Sequence, residues 1–309
     1  MGKRFRIFIN ALMIALLLMI SACQTSSPTT NGNGKKTIVV TYSILGAVVK
    51  DLVGDQANVV VSMQNGQDPH EWEPSAKDIE TITNADMIVQ NGLGLEGGME
   101  KALAQAREAG VKFFTASDHI TIRTVGKGEG LPTGDPDQAV GAQDPHLWTD
   151  PLAMKEIVAA LAEQIHSDLQ LDVSVQANDL ETRLDSLNQE IVDRVNMLPD
   201  GNRKLVTGHE SMVYFAQRYG FKLIGAILPS LTTQAEVSAS QLADLKKLIT
   251  DNHVKAIFTE LGTPANVSES IGKETGVRVI EVTTHNLPED GSYFTYMRNL
   301  ANTIVAGLK

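Results

Sequence analysis

The sequence predicts an α/β fold of two lobes, each built on a parallel sheet flanked by helices, with one long rigid helix between them. Three observations support this. Short β-rich runs alternate with helical stretches from Thr37 onward, the order that βαβ units and parallel sheets require. Roughly 270 residues follow position 36, enough for two cores of ordinary domain size. Between the halves, Val173 to Leu198 contains neither Gly nor Pro. Its Leu180, Leu184, Leu187, Ile191, Val195 and Leu198 recur at three- and four-residue steps, the helical period.

Taken in order, the first segment is not part of the fold. Lys3, Arg4 and Arg6 precede an almost wholly apolar run, Ile7 to Ile20, and the stretch ends in Ile20-Ser21-Ala22-Cys23. That run is short for a membrane span. The small residues before Cys23 resemble the lipobox at which bacteria cleave a signal peptide and attach diacylglycerol. Residues 1–22 are therefore expected to be a lipoprotein signal peptide and Cys23 the lipidation site. The chain would then be anchored by lipid to the cell membrane, facing outside the cytoplasm, at the cell surface or in the periplasm. Cys23 is the single cysteine of the chain, so a disulfide framework is excluded. Residues 23–36 are polar and rich in Gly, Ser and Thr, the composition of a flexible tether. Without residues 1–22 the net charge moves from −11 to −14, with 23 basic against 37 acidic side chains. An acidic body disfavours nucleic acid and anionic membrane surfaces as partners.

The first lobe is expected over residues 37–172. Its strand candidates are Thr37 to Tyr42, Val59 to Val61, Met87 to Gln90 and Val111 to Thr115, with helices through Ala47 to Val53 and Ala153 to Leu171. A Gly-rich loop from Thr121 to Gln143 interrupts it. The loop acids Glu129, Asp135 and Asp137 read as solvating charge. The connecting helix is expected within residues 173–200, closed by Pro199-Asp200-Gly201-Asn202; about 25 residues would span roughly 37 Å. A coiled-coil seam would use the same period, but only about three heptads are present. The second lobe, residues 201–309, carries strand candidates Lys204 to Thr207, Lys222 to Ile224, Ala256 to Thr259 and Val277 to Ile280.

One phrase occurs twice. Gln67-Asp68-Pro69-His70-Glu71-Trp72 returns as Gln143-Asp144-Pro145-His146-Leu147-Trp148, and each copy runs into a proline-led helix start. A histidine behind a stiff Asp-Pro step has its direction set by the backbone. His70 and His146 thus read as matched halves of one metal site. His209 follows the strand Leu205-Val206-Thr207 and precedes an aromatic helix, the corner at which α/β folds build their sites. His285 lies just past the last strand and is favoured as a fourth ligand, with Glu281 as the alternative. His119 is a weaker candidate at a strand exit, and His166 and His253 read as surface residues. Three or four imidazoles with at most one carboxylate suit zinc; manganese prefers more oxygen. Protonated imidazoles bind metal poorly, so affinity is expected to fall below about pH 6.

Together these motifs resemble the metal-binding lipoproteins that serve zinc and manganese ABC importers. The resemblance rests on the lipobox, the two Asp-Pro-His phrases with Glu73-Pro74 and Asp150-Pro151, Val206-Thr207-Gly208-His209 leading to Tyr214-Phe215, and the closing Ser292-Tyr293-Phe294-Thr295-Tyr296-Met297. It implies two α/β lobes joined by a rigid helix, the metal in the interlobe cleft and little hinge closure. It also implies a non-enzymatic monomer that captures Zn2+, or less readily Mn2+, and passes it to a membrane permease driven by a cytoplasmic ATPase. By position His70 and His146 match two first-lobe ligands. His209 matches a third, which is histidine in zinc-type members and often glutamate in manganese-type ones. The fourth is usually an acid shortly before the last helix; here Glu281-Val282-Thr283-Thr284-His285 offers none at that place. The His-rich loop frequent in zinc-type members is absent as well.

Two other readings compete. An exported zinc hydrolase would use Glu210 as general base beside His209, but His209-Glu210-Ser211-Met212-Val213 lacks the second histidine of a His-Glu-x-x-His helix. A surface adhesin is permitted by tethering alone.

Overall fold

The β-branched runs of the sequence become the centres of two sheets. The computed structural model describes residues 34–126 and 140–309. The signal segment, Cys23, most of the tether and the acids Glu129, Asp135 and Asp137 lie outside the described residues. In the first lobe β1 (Lys36–Tyr42), β2 (Ala57–Met63), β3 (Met87–Gln90) and β4 (Lys112–Thr115) pair in parallel, in the order β2-β1-β3-β4. The second lobe repeats that order as β6-β5-β7-β8, from β5 (Lys204–Thr207), β6 (Lys222–Ala226), β7 (Ala256–Thr259) and β8 (Arg278–Glu281), again all parallel. Parallel strands covered on both faces read as continuous apolar runs. Accordingly Ile38, Val39 and Val40 of β1 and Met87, Ile88 and Val89 of β3 are fully buried.

Helix α1 (Ser43–Val53) starts four residues earlier than the sequence suggests. Ile44, Leu45, Val48, Val49 and Leu52 form its buried stripe, so the apolar period already runs from the first turn. Gly46 lies in that turn because a Cβ there would sit 2.5 Å from Val61 Cγ2 of β2. Helix and strand approach too closely for a side chain. After α2 (Ala76–Thr83) and α3 (Glu100–Glu108), α4 (Pro151–Leu169) begins with Pro at its first position and Asp150 as N-cap, accepting from Leu152 N at 3.0 Å.

The connecting helix α5 spans Ser174–Val195, and 22 residues make it roughly 33 Å long. Its buried stripe holds Leu180, Leu184, Leu187, Ile191 and Val195, which the periodicity marked, and adds Ala177. Leu198, marked as well, is buried three residues past the helix end. It packs on α1 and α4 of the first lobe and on α9 (Tyr293–Leu308) of the second. The apolar stripe is therefore used inside the chain, which removes the basis for a coiled-coil seam. One apolar cluster runs from Ile38 through Leu184 to Ile304. Each buried Leu or Ile in it contributes roughly 1.5–3 kcal/mol. The second lobe is completed by α6 (Val213–Tyr219), α7 (Ala239–Asp251) and α8 (Ala265–Thr275). Polar contacts also cross between lobes: Arg218 of α6 donates from Nε to both carboxylate oxygens of buried Asp150, at 2.8 and 2.9 Å.

Candidate metal centre

Four strand-to-helix connections, two in each lobe, each contribute one histidine. The two Asp-Pro-His phrases fold alike at first. Asp68 Oδ1 accepts the backbone N–H of His70, and Asp144 Oδ1 that of His146, both at 2.9 Å. These local turns, stiffened by the intervening proline, orient both histidines. The copies then diverge. After His70 the chain reaches α2 through a capping box at Ser75, whereas His146 leads through one 3-10 turn straight into α4. Trp148 is wholly buried between the lobes while Trp72 keeps some exposure.

His209 stands two residues past β5 and His285 four past β8. Gly208 is required beside His209: a Cβ there would lie 2.0 Å from Thr263 Oγ1. The strand end can thus close on the turn that carries Glu260.

One ligand atom from each of His70, His146, His209 and His285 falls within 4.8 Å of all the others. His146 Nε2 lies 3.3 Å from His70 Nε2 and 3.1 Å from His209 Nε2. Tetrahedral zinc with bonds of about 2.0–2.1 Å needs nitrogens about 3.3–3.4 Å apart, so the His70–His146 pair already has that spacing and the His146–His209 pair is slightly closer. His146, His209 and His285 are at most 4 % exposed; His70 is the more open one, at the mouth of a cleft of about 290 Å³ lined also by Leu93, Pro145, Leu231 and Gln234.

Each buried ring is held from behind. His146 Nδ1 lies 2.7 Å from Asp144 Oδ1. His209 Nδ1 lies 2.9 Å from Glu260 Oε1, close enough for charge attraction though off the line of a hydrogen bond. Glu260 Oε1 also accepts from His209 N at 3.0 Å and Ser211 Oγ at 2.9 Å. Its Oε2 accepts from Thr284 Oγ1, which in turn sits 2.8 Å from His285 Nδ1. Such outer partners fix the ring orientation and the tautomer that presents the opposite nitrogen to a metal. His285 Nε2 is buried without a hydrogen-bond partner. Asn91 steadies the first lobe's share, donating from Nδ2 to Pro145 O at 2.8 Å while its Oδ1 accepts from Tyr42 OH at 3.0 Å.

The electrostatics separate the four. Burial, then the charge of neighbouring imidazoles, pushes His70 and His146 well below the ordinary histidine value, and the same causes bring His285 down to about 3. These rings are neutral, the state that binds metal. For His209 burial also opposes the charged form, but the Glu260 carboxylate outweighs it and the pKa is raised. Glu260 is lowered in turn: burial works against its charge, and the His209 charge and contact prevail. Burial raises Asp144 to about 7.

Glu281, the alternative fourth ligand, is exposed at the end of β8 and is not among the clustered atoms. Adjacent strand residues point to opposite faces, and the turn after β8 brings His285 inward instead. Glu210 is buried beside His209 but contributes none of the four clustered atoms. His119 is exposed and stacked on Phe114, with ring centroids 4.4 Å apart, and His166 and His253 are exposed. Sequence reasoning missed Glu260. The signal was available: it stands immediately past β7, the same kind of strand exit that drew attention to His209.

Comparison with known proteins agrees with this architecture. A family model described as "ZnuA: Zinc-uptake complex component A periplasmic" matches residues 38–307. The chain is 25% identical over 305 residues to the manganese-binding lipoprotein MntA of Halalkalibacterium halodurans, covering 96% of each chain. It is 26% identical over 321 residues to the iron ABC transporter substrate-binding lipoprotein MtsA of Streptococcus pyogenes serotype M1, covering 100% of this chain and 99% of that one. Among solved structures, the periplasmic zinc-binding protein TroA of Treponema pallidum superposes with a TM-score of 0.75 at 26% identity, over 89% of this chain and 99% of that one.

Proposed function

The chain belongs to the ZnuA family, and on that premise we propose that His70, His146, His209 and His285 together hold its transported ion and that this ion is zinc. The protein is an extracytoplasmic metal-binding receptor of an ABC importer, a membrane-anchored lipoprotein that works with a membrane permease and its ATPase. We read Cys23 as the anchor, residues 37–172 and 201–309 as the lobes about the helix segment 173–200, and the working form as a monomer.

The observation that carries the zinc reading is the donor set: four imidazoles and no carboxylate among the clustered atoms. Nitrogen donors in a tetrahedral arrangement favour zinc, whereas manganese seeks oxygen and higher coordination. The relatives named for manganese and iron lie at 25–26% identity, so their cargo does not transfer by similarity alone. The same donor set argues against catalysis. A metal closed by four protein ligands has no open position at which to activate water.

The test is metal content and competition on the purified protein with equimolar Zn2+ and Mn2+. One zinc per chain, retained against manganese, supports the proposal. Preferential retention of manganese would overturn the choice of ion, and no stoichiometric metal would overturn the site.

A further inference from the structure

We propose that Asn65, Asn286, Thr233 and Gln234 are positioning residues that clasp the His70 segment across the cleft and set the rate at which the bound ion leaves. This rests on the reading of His70 as a ligand.

The first-lobe segment that leaves β2 and carries His70 is hydrogen-bonded to the second lobe on both flanks. On one side Asn65 Nδ2 donates to Leu287 O at 2.9 Å, and Asn65 Oδ1 accepts from Leu287 N at 2.7 Å. There too Gly66 N donates to Asn286 Oδ1 at 2.9 Å. On the other, Thr233 Oγ1 donates to Asp68 Oδ2 at 2.7 Å and Gln234 Nε2 to His70 O at 2.9 Å. Asn286 and Leu287 directly follow His285, so one clasp joins the segment of one ligand to that of another.

His70 depends on these contacts more than the other three ligands do. His146 and His209 have a carboxylate behind the ring and His285 has Thr284. The His70 ring contacts His146, and its placement comes from the backbone that the clasps hold. His70 is also the ligand nearest solvent. Four of the five clasp bonds lie at the exposed cleft rim, where water replaces a broken bond and the net cost of opening is small, and only the Thr233–Asp68 bond is part-buried. The segment can therefore swing away about Trp72, which stays packed on the core of the first lobe, taking one of four nitrogens from the ion.

The test uses the full chain in detergent and follows zinc release into a chelator by stopped flow, with capture measured separately. Asn65→Ala with Asn286→Ala removes three bonds and should speed release roughly tenfold while capture changes less than about threefold, since affinity differences reside mostly in the off-rate. Thr233→Val should act in the same direction. Asn286→Asp keeps the acceptor for Gly66 N–H and should release at the parent rate, within about twofold. In a His70→Ala background the clasp substitutions should have no effect on release, because they act through that ring. Unchanged release in the double variant, or an equal acceleration without His70, would overturn the clasp. A parent protein that binds zinc equally well without His70 would instead overturn the ligand assignment, and the clasp with it.

Discussion

Trp148 donates its indole N–H to the carbonyl oxygen of Thr284, 2.8 Å away, joining the residue two places after His146 to the residue just before His285. Tyr296 OH donates to the same carbonyl at 2.9 Å, and Tyr293 OH donates to Trp148 O at 2.9 Å. Two histidines from different lobes thus share one buried hydrogen-bonded joint. Trp148→Phe keeps a ring in this space but removes the N–H and leaves a void. A loss of about 2–4 kcal/mol in folding stability is expected from the cavity and the lost bond. Zinc affinity should drop less than for any ligand substitution. Denaturant titration with and without zinc measures both; an unchanged stability would mean that the joint carries no load.

His285→Ala is expected to weaken zinc binding by at least about a hundredfold, beyond the 10- to 100-fold typical of outer partners. Glu281→Ala should leave it unchanged, because that carboxylate is exposed and outside the cluster. Competition against a chelator of known affinity distinguishes the two. Equal loss in both variants would reinstate an acid at the fourth corner.

The pH dependence should be governed by His209. Its pKa is raised by Glu260, so without metal the ring keeps its proton to a higher pH than an ordinary histidine; His70, His146 and His285 are already neutral there. Zinc must displace that one proton. Affinity should therefore begin to fall above the usual histidine value of about 6.5 and not below pH 6, with a slope of about one to two protons per ion, since Asp144 behind His146 is also raised to about 7. For the metal-free protein the sign is opposite. A raised folded pKa contributes stability below about pH 6.5 that is lost as pH rises through the folded value. Glu260→Gln removes the carboxylate that raises His209, so the onset of affinity loss should move to lower pH and affinity at neutral pH should fall roughly 10- to 100-fold. Calorimetry in buffers of different ionisation enthalpy counts the protons released; none at neutral pH would contradict the charged His209.

Much of this was legible in the chain because parallel strands and their exits leave local marks. The bounds of β3, β5 and β7 coincide with the short β-rich runs Met87 to Gln90, Lys204 to Thr207 and Ala256 to Thr259 read from the sequence. The inward stripe of α5 follows from its period. The four histidines share one kind of position, the connection after a strand, which the sequence displays directly. What it does not display is which face a residue takes once the chain turns. Glu281 and His285 are four residues apart, and only the path after β8 decides that one is exposed and the other buried. The twin phrases likewise conceal that Trp72 and Trp148 have different surroundings, since the difference arises from how α2 and α4 begin. Glu260 is the clearest omission, a buried carboxylate seen as functional only when Gly208 lets its turn approach His209.

Helix α5 has one more consequence, for anyone building a sensor from this receptor. A spine of 22 residues without Gly or Pro, with its stripe locked into the core of both lobes, has no joint at which to bend. Paired dyes placed one on each lobe would therefore record almost the same separation with and without cargo. A single polarity-sensitive dye beside the Asn65–Leu287 contact would record the ligand segment moving, and the useful signal of this protein is local rather than global.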